Sequence, residues 1–100
     1  MSSSNDSFGF APPPFKPDDA LVGLKRQLRD CKLAERGNVF EQHGKRVVEL
    51  AVEGETIQLK LARRLMLTPE WDRMTLKSAA DVHKSIDEIK KRLARWEHEE

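Results

Sequence analysis

Two stretches of alternating apolar and polar residues, joined by a glycine, constrain the fold of this chain more than any other feature. The segment from Val47 to Leu61 reads VVELAVEGETIQLKL. Its apolar positions on one face are Val48, Leu50 and Val52 before the glycine, and Ile57, Leu59 and Leu61 after it. A period of two residues over both arms predicts an antiparallel hairpin with one aliphatic face that another layer must cover.

The residues before this hairpin predict a helix and one further strand. Pro17-Asp18-Asp19 is typical of a helix start, because acidic side chains favour the positive end of the helix dipole. Apolar residues then recur at helical spacing, and Gly37-Asn38 is typical of a helix end, so we predict a helix from Asp19 to Arg36. Val39 to Gln42 predicts a short strand, which would extend the hairpin into a three-stranded meander.

The C-terminal part of the chain carries its longest helical pattern. The apolar residues that recur there at spacings of three and four are Ala79, Val82, Ile86, Ile89, Leu93 and Trp96. They predict a helix from about Leu76 to Glu97. Thr68-Pro69-Glu70 is typical of another helix start and predicts a short helical turn through Trp71 that breaks near Thr75. The predicted fold is α+β, with the order helix, three-stranded antiparallel meander, helix (αβββα), in two layers with both helices on the apolar face of the sheet.

The N-terminal residues differ in composition from the rest of the chain. Residues 1–16 read MSSSNDSFGFAPPPFK, in which serine, glycine and proline dominate and no period appears. Such a segment buries too little surface to offset the entropy of ordering, so we predict a disordered tail over residues 1–16 and one domain over residues 17–100. Pro14-Phe15-Lys16-Pro17 has the PxxP form, which leaves open whether the tail is itself a ligand.

The composition and the motifs exclude several classes of function. Basic and acidic residues number 18 and 17, a balance unlike that of proteins that bind nucleic acid through bulk charge. The chain has one cysteine, no run of apolar residues long enough for a membrane helix and no signal-peptide pattern, so we expect a cytoplasmic protein. His43, His83 and His98 stand far apart, and no phosphate loop or nucleophile motif is present. We therefore expect no enzyme, no cofactor, no metal and no small-molecule substrate.

The leading hypothesis is a protein–protein interaction module. A chain of 100 residues with 38% apolar residues buries a modest core, so some apolar surface is expected to need a partner. The long stripe of the last helix indicates another protein or a second copy, in a homodimer, as that partner. The candidate residues are Ile86, Ile89, Leu93 and Trp96 from this stripe, together with Trp71, which fits no helix stripe.

The alternative hypothesis is a nucleic-acid-binding module with a local basic patch. Ala62-Arg63-Arg64-Leu65 with Leu67-Thr68 resembles the helix-turn-helix pattern, although Met66 stands at the turn glycine and the alternation before it favours a strand. The order helix, three strands, helix is similar to that of double-stranded-RNA-binding domains, which implies a phosphate contact from the turn His43-Gly44-Lys45-Arg46, although Lys77 alone stands where those domains have a lysine cluster. The candidate residues are Lys45, Arg46, Arg63, Arg64, Lys90, Lys91, Arg92 and Arg95.

Overall fold

A computed structural model describes residues 15–99 and shows an α+β protein with two helices and one five-stranded sheet. The elements in chain order are α1 (Pro17–Asp30), β1 (Ala34–Arg36), β2 (Val39–Gln42), β3 (Lys45–Glu53), β4 (Thr56–Ala62), β5 (Trp71–Leu76) and α2 (Ala79–Glu99). The strands are antiparallel and lie in the order β1-β2-β3-β4-β5, so β1 and β5 form the two edges. The predicted tail lies outside the described residues except for Phe15, which is half-buried against the core, and Lys16.

The predicted hairpin is confirmed as β3 and β4. Leu50 lies opposite Leu59 across the two strands, as the alternation requires. Gly54 opens the turn with a φ of 59°, a left-handed conformation that glycine adopts without steric cost. The turn from β2 to β3 places both His43 and Gly44 at positive φ, which fits the type I′ geometry favoured by two-residue hairpin loops.

The first helix ends six residues earlier than the predicted end at Arg36, at Asp30. The amide of Lys32 donates to the Arg29 carbonyl at 2.8 Å, and the amide of Leu33 donates to the Leu28 carbonyl at 3.4 Å. These bonds form a Schellman motif, in which Lys32 takes the left-handed position with a φ of 66°. Leu28 and Leu33 are both buried, so their contact with the core ends the helix where no glycine marks the end.

Residues 34–36, predicted as helix, are instead strand β1. Ala34 lies opposite Glu41 and Arg36 lies opposite Val39 on β2. The pair Gly37-Asn38, predicted to stop a helix, is the turn of this hairpin. The sheet therefore has a strand before the predicted meander.

The predicted helical turn through Trp71 is wrong, because residues 71–76 form strand β5. Met74 lies opposite Leu59 and Leu76 opposite Ile57, so two apolar side chains of β5 extend the aliphatic face of the hairpin. The predicted three-stranded meander is thus a five-stranded one. A strand on each side of the 63–70 loop also rules out a helix-turn-helix there, and the order on which the resemblance to RNA-binding domains depended is not found.

The second helix begins at Ala79 rather than near Leu76 because Ser78 and Asp81 cap it. The amide of Asp81 donates to the Ser78 hydroxyl oxygen at 3.2 Å, and the Asp81 carboxylate accepts from the amide of Lys77 at 2.9 Å. This exchange is close to a capping box, which satisfies free amides at a helix start.

One apolar core lies between the helices and a single face of the sheet. Leu24 and Leu28 of α1 and Ile86 and Ile89 of α2 are buried in it. The sheet contributes Phe40, Val48, Leu50, Ile57, Leu59, Leu61 and Leu76. The opposite face of the sheet has no helix over it, and we call it the open face. Polar side chains such as Gln58 and Lys60 alternate with these buried residues and lie on the open face.

Candidate functional site

The apolar stripe of α2 lies mostly inside the single chain. Ile86, Ile89 and Trp96 are 3%, 1% and 3% exposed. Leu93 and Trp71 are half-buried and pack against the core. Three of the five predicted partner-binding side chains are therefore already buried within their own chain, and a contact with a partner has to use other atoms.

The predicted basic patch is divided among separate elements and partly neutralised. Arg46 binds Glu49 at 3.0 Å, while Arg63 and Arg92 each bind Asp72 at 2.8 Å. The members of this predicted patch that form no ion pair within residues 15–99 come from β3, the 63–70 loop and α2: Lys45, Arg64, Lys90, Lys91 and Arg95. No observation joins them into one phosphate-binding surface.

Asp72 connects β5 to helix α2 through its ion pair with Arg92. It lies opposite Leu61, so its side chain shares the helix-covered face of the sheet. Besides binding Asp72, Arg92 donates from Nε to Glu88 at 2.9 Å and from Nη1 to the Ala62 carbonyl at 3.0 Å. Hydrogen bonds from Arg63 and then from Arg92 hold the pKa of Asp72 below its usual value. Sequence reasoning missed this cluster, although Asp72 keeps the period of Met74 and Leu76.

The outer side of β5 is unpaired, and the hydrogen-bond alternation shows which residues face it. The amide of Arg63 donates to the Glu70 carbonyl at 2.9 Å, which makes these two a hydrogen-bonded antiparallel pair. Such pairs alternate along two strands, so in β5 the backbone groups of residues 72, 74 and 76 point toward β4. The backbone N–H and C=O groups of Trp71, Arg73 and Thr75 therefore point away from the sheet.

A second bond at the other end of the sheet gives the same alternation. The amide of Leu50 in β3 donates to the Asn38 carbonyl at 2.9 Å, toward β2. Residues 49, 51 and 53 consequently bond to β4, and their partners at 60, 58 and 56 bond back. Residues 57, 59 and 61 of β4 are left to bond β5, which agrees with the pattern set by Arg63.

A groove runs along β5 on the helix side. It has a volume of about 510 Å³. Its lining residues are Met74, Thr75 and Leu76 from β5 and Asp81, Lys84, Ser85, Glu88 and Arg92 from α2. Met74 supplies apolar surface, whereas Leu76 is 1% exposed, and charged residues of both signs line the α2 side. An extended segment beside β5 would place every second side chain in this groove.

The open face carries a second groove with a volume of about 370 Å³, which lies over β3 and β4 and reaches β5 at Arg73. Lys60 and Arg73 line it, and they lie directly opposite each other on β4 and β5. Neither cation forms an ion pair or a side-chain hydrogen bond within the described residues. On the same face, Thr75 donates from its hydroxyl to the Gln58 amide oxygen at 3.1 Å.

Comparison of the chain with protein-family models, with curated proteins and with solved structures finds no match. Over residues 15–99, no group of three or more histidine, cysteine, aspartate or glutamate side chains is arranged to hold a metal ion. In the same range, no helix has the length and apolar character needed to cross a membrane. The function is therefore inferred from the geometry of the chain's own residues.

Proposed function

We propose that this chain is a non-enzymatic protein-interaction module that accepts an extended segment of another protein as a sixth strand beside β5. The observation that supports the proposal is the outward direction of the backbone at Trp71, Arg73 and Thr75. Each of these residues offers one N–H and one C=O to a neighbouring strand. Strand addition uses such main-chain groups for affinity and pockets for alternate side chains for specificity.

The groove on the helix side of β5 supplies one set of those pockets. Alternate side chains of an added strand would lie on the helix side with Asp72 and Met74, where Met74 offers apolar contact. The remaining side chains would lie on the open face beside Trp71, Arg73 and Thr75. Trp71 is half-buried at the start of β5, so one side of its ring system stays accessible to a partner.

A foreign strand fits this edge better than a second copy of the chain. A symmetric antiparallel pairing of two β5 strands about their middle outward-facing residue would place two Arg73 side chains directly opposite each other. Like charges in that position destabilise a strand pair. The apolar stripe of α2, which would otherwise favour self-association, is largely buried within the chain.

Selection from random extended peptides, with the whole chain as bait, tests the proposal. The variant Thr75→Pro removes one outward-facing amide without removing a bond to β4, so it should fold and fail to accept a strand. Thr75→Val keeps that amide and loses only the hydrogen bond to Gln58, which makes it the matched control.

Enriched peptides should bind the original chain and Thr75→Val, protect the Arg73 and Thr75 amides from hydrogen exchange, and bind Thr75→Pro at least tenfold more weakly. Peptides that bind Thr75→Pro as well as the original chain would show that another surface is used. Failure to enrich any peptide would also count against the proposal.

A further inference from the structure

We infer that the strand recognised at β5 carries an acidic side chain opposite Arg73, and that the Lys60–Arg73 cation pair selects it. The inference rests on the proposed function, since it names the chemistry of the segment that β5 accepts. Its physical basis is the repulsion between Lys60 and Arg73, two cations that lie opposite each other on β4 and β5.

Lys60 and Arg73 place two like charges directly opposite each other on neighbouring strands. They are cross-strand partners, and the bonds of their neighbours make them a non-hydrogen-bonded pair, in which Cα atoms are about 4.5 Å apart. Side chains of such a pair share one face of the sheet, and like charges there destabilise it. An anion beside both cations would remove that penalty.

The nearest carboxylate is already engaged. Glu49 lies opposite Lys60 on β3, but its Oε2 binds Arg46 Nη1 at 3.0 Å. Glu53 lines the far end of the same groove, on β3, and β4 separates it from Arg73. The charged row on the open face therefore holds three positive charges and one negative charge, from Arg46, Glu49, Lys60 and Arg73. It ends at the open edge with Arg73, which forms no ion pair within the described residues.

A strand added to β5 extends this row by one position. Because the Arg73 backbone groups point outward, an antiparallel partner residue directly opposite has its side chain on the same open face. An aspartate or glutamate there completes the row. The two residues beside it would point to the other face, one toward Met74 and the other toward the ion-paired carboxylate of Asp72. The geometry thus fits a segment in which an apolar residue, opposite Met74, comes directly before the acidic one.

Three synthetic peptides test this chemistry: acetyl-Thr-Val-Glu-Val-Thr-amide and the same peptide with Gln or Lys in place of Glu. Each is titrated into the full chain at low salt while amide shifts of β5 are followed by NMR. We expect the Glu peptide to bind about fivefold tighter than the Gln peptide, with the Lys peptide weakest. The preference should shrink at high salt, because exposed charges are screened.

Charge reversal supplies the second arm. Arg73→Glu should invert the order, so that the Lys peptide binds most tightly. Arg64→Glu makes the same change of net charge in the 63–70 loop, away from this row, and should leave the preference for Glu intact.

The outcomes separate the inference from the proposed function. Equal affinity of the three peptides, with β5 amides shifted and binding lost in Thr75→Pro, would overturn the acidic preference and leave strand addition standing. Loss of the preference in Arg64→Glu would show that net charge, rather than the Lys60–Arg73 pair, causes it. Absence of binding by all three peptides, or binding unchanged in Thr75→Pro, would overturn both.

Discussion

The two edges of the sheet leave very different amounts of backbone open. Strand β1 has three residues, and the alternation that applies to β5 leaves only Glu35 facing outward there. The Glu35 carboxylate is held by Arg29 Nε at 2.6 Å and lies 3.8 Å from Lys25 Nζ, and these cations lower its pKa. Strand β5 has six residues, of which three face outward, and a groove lies along its helix side.

The difference shows how one small sheet protects one edge and leaves the other open. A very short strand with an ion-paired centre gives a partner too little backbone to pair with. On β5, the Asp72 side chain lies on the helix-covered face and the Arg73 side chain lies on the open face. Charges at such positions disfavour pairing with most other strands. A strand with an acidic residue opposite Arg73 would instead be attracted by the Arg73 charge.

The comparison of edges requires that α2 is part of the core and not itself the interface. Ile89→Asp places a charge where a side chain is 1% exposed, and it should cost about 4 kcal/mol or more, enough to unfold much of the protein. Urea denaturation measures the change. The neighbouring exposed substitution Lys90→Asp is the control and should shift the midpoint far less. Normal folding of Ile89→Asp would return α2 to the list of binding surfaces.

A pair of proline substitutions separates the inner from the outer side of β5. Met74→Pro removes an amide that bonds to β4 and should destabilise the protein by about 3 kcal/mol. Thr75→Pro removes an outward-facing amide and should cost less than about 1 kcal/mol. Equal losses of stability in urea denaturation would mean that both sides of β5 are paired. Strand β5 would then not be an open edge.

The ion pairs of Asp72 should contribute more to the stability of the fold than the exposed side chain of Glu70 does. Asp72→Ala leaves Arg63 and Arg92 without their shared partner, and we expect a loss of about 1–2 kcal/mol, moderated by the partial exposure of the carboxylate. Glu70→Ala, whose side chain is 80% exposed and 3.7 Å from Arg63, should change stability little. An equal effect of both changes on the urea midpoint would contradict the bracing role of Asp72.

The contribution of Asp72 should also depend on pH in a defined direction. Because Arg63 and Arg92 lower its pKa in the folded protein, the ionised form stabilises the fold above the unfolded pKa of about 3.9. That stability is lost as the pH falls through the lower, folded pKa. The difference in unfolding free energy between the original chain and Asp72→Asn should therefore be constant near neutral pH and shrink below about pH 4. A difference that grows on acidification would reverse the assigned shift.

The smallest expected effect is a gain. Arg73→Gln removes the like-charge contact with Lys60 and should stabilise the free protein by about 0.3 kcal/mol at low salt, with less gain at high salt. Arg64→Gln, in the loop, should give no such gain. A loss of stability in Arg73→Gln would mean that Arg73 already has a favourable partner within its own chain.

Much of the fold could be predicted because its strongest patterns are local. The period-two arms around Gly54 specify the hairpin of β3 and β4, and the stripe from Val82 to Trp96 specifies α2. The end of α1 could not be predicted, since Lys32 adopts a left-handed conformation that sequence reasoning assigns to glycine or asparagine. The hydrophobic contact of Leu33 with the core, a tertiary effect, selects it.

Strand β5 and the candidate site were harder to predict for a different reason. In the segment WDRMTL a charge, Asp72, occupies an inward position, and only two apolar residues mark the alternation. Arg63 and Arg92 were predicted to meet phosphate, yet their partner is Asp72, nine residues beyond the first and on another element from the second. Trp71 was correctly singled out as falling outside the helix stripes. An open edge is a property of strand order and backbone direction, which side-chain patterns do not encode.

Native-state amide hydrogen exchange of β5 in the free chain tests the open edge most directly. The amides of Asp72, Met74 and Leu76 should exchange slowly, and those of Trp71, Arg73 and Thr75 should exchange quickly, in strict alternation. Uniform protection of all six amides from exchange, in a sample shown to be monomeric, would mean that another part of the same chain covers the edge. That result, or an alternation of the opposite phase, would contradict strand addition at β5.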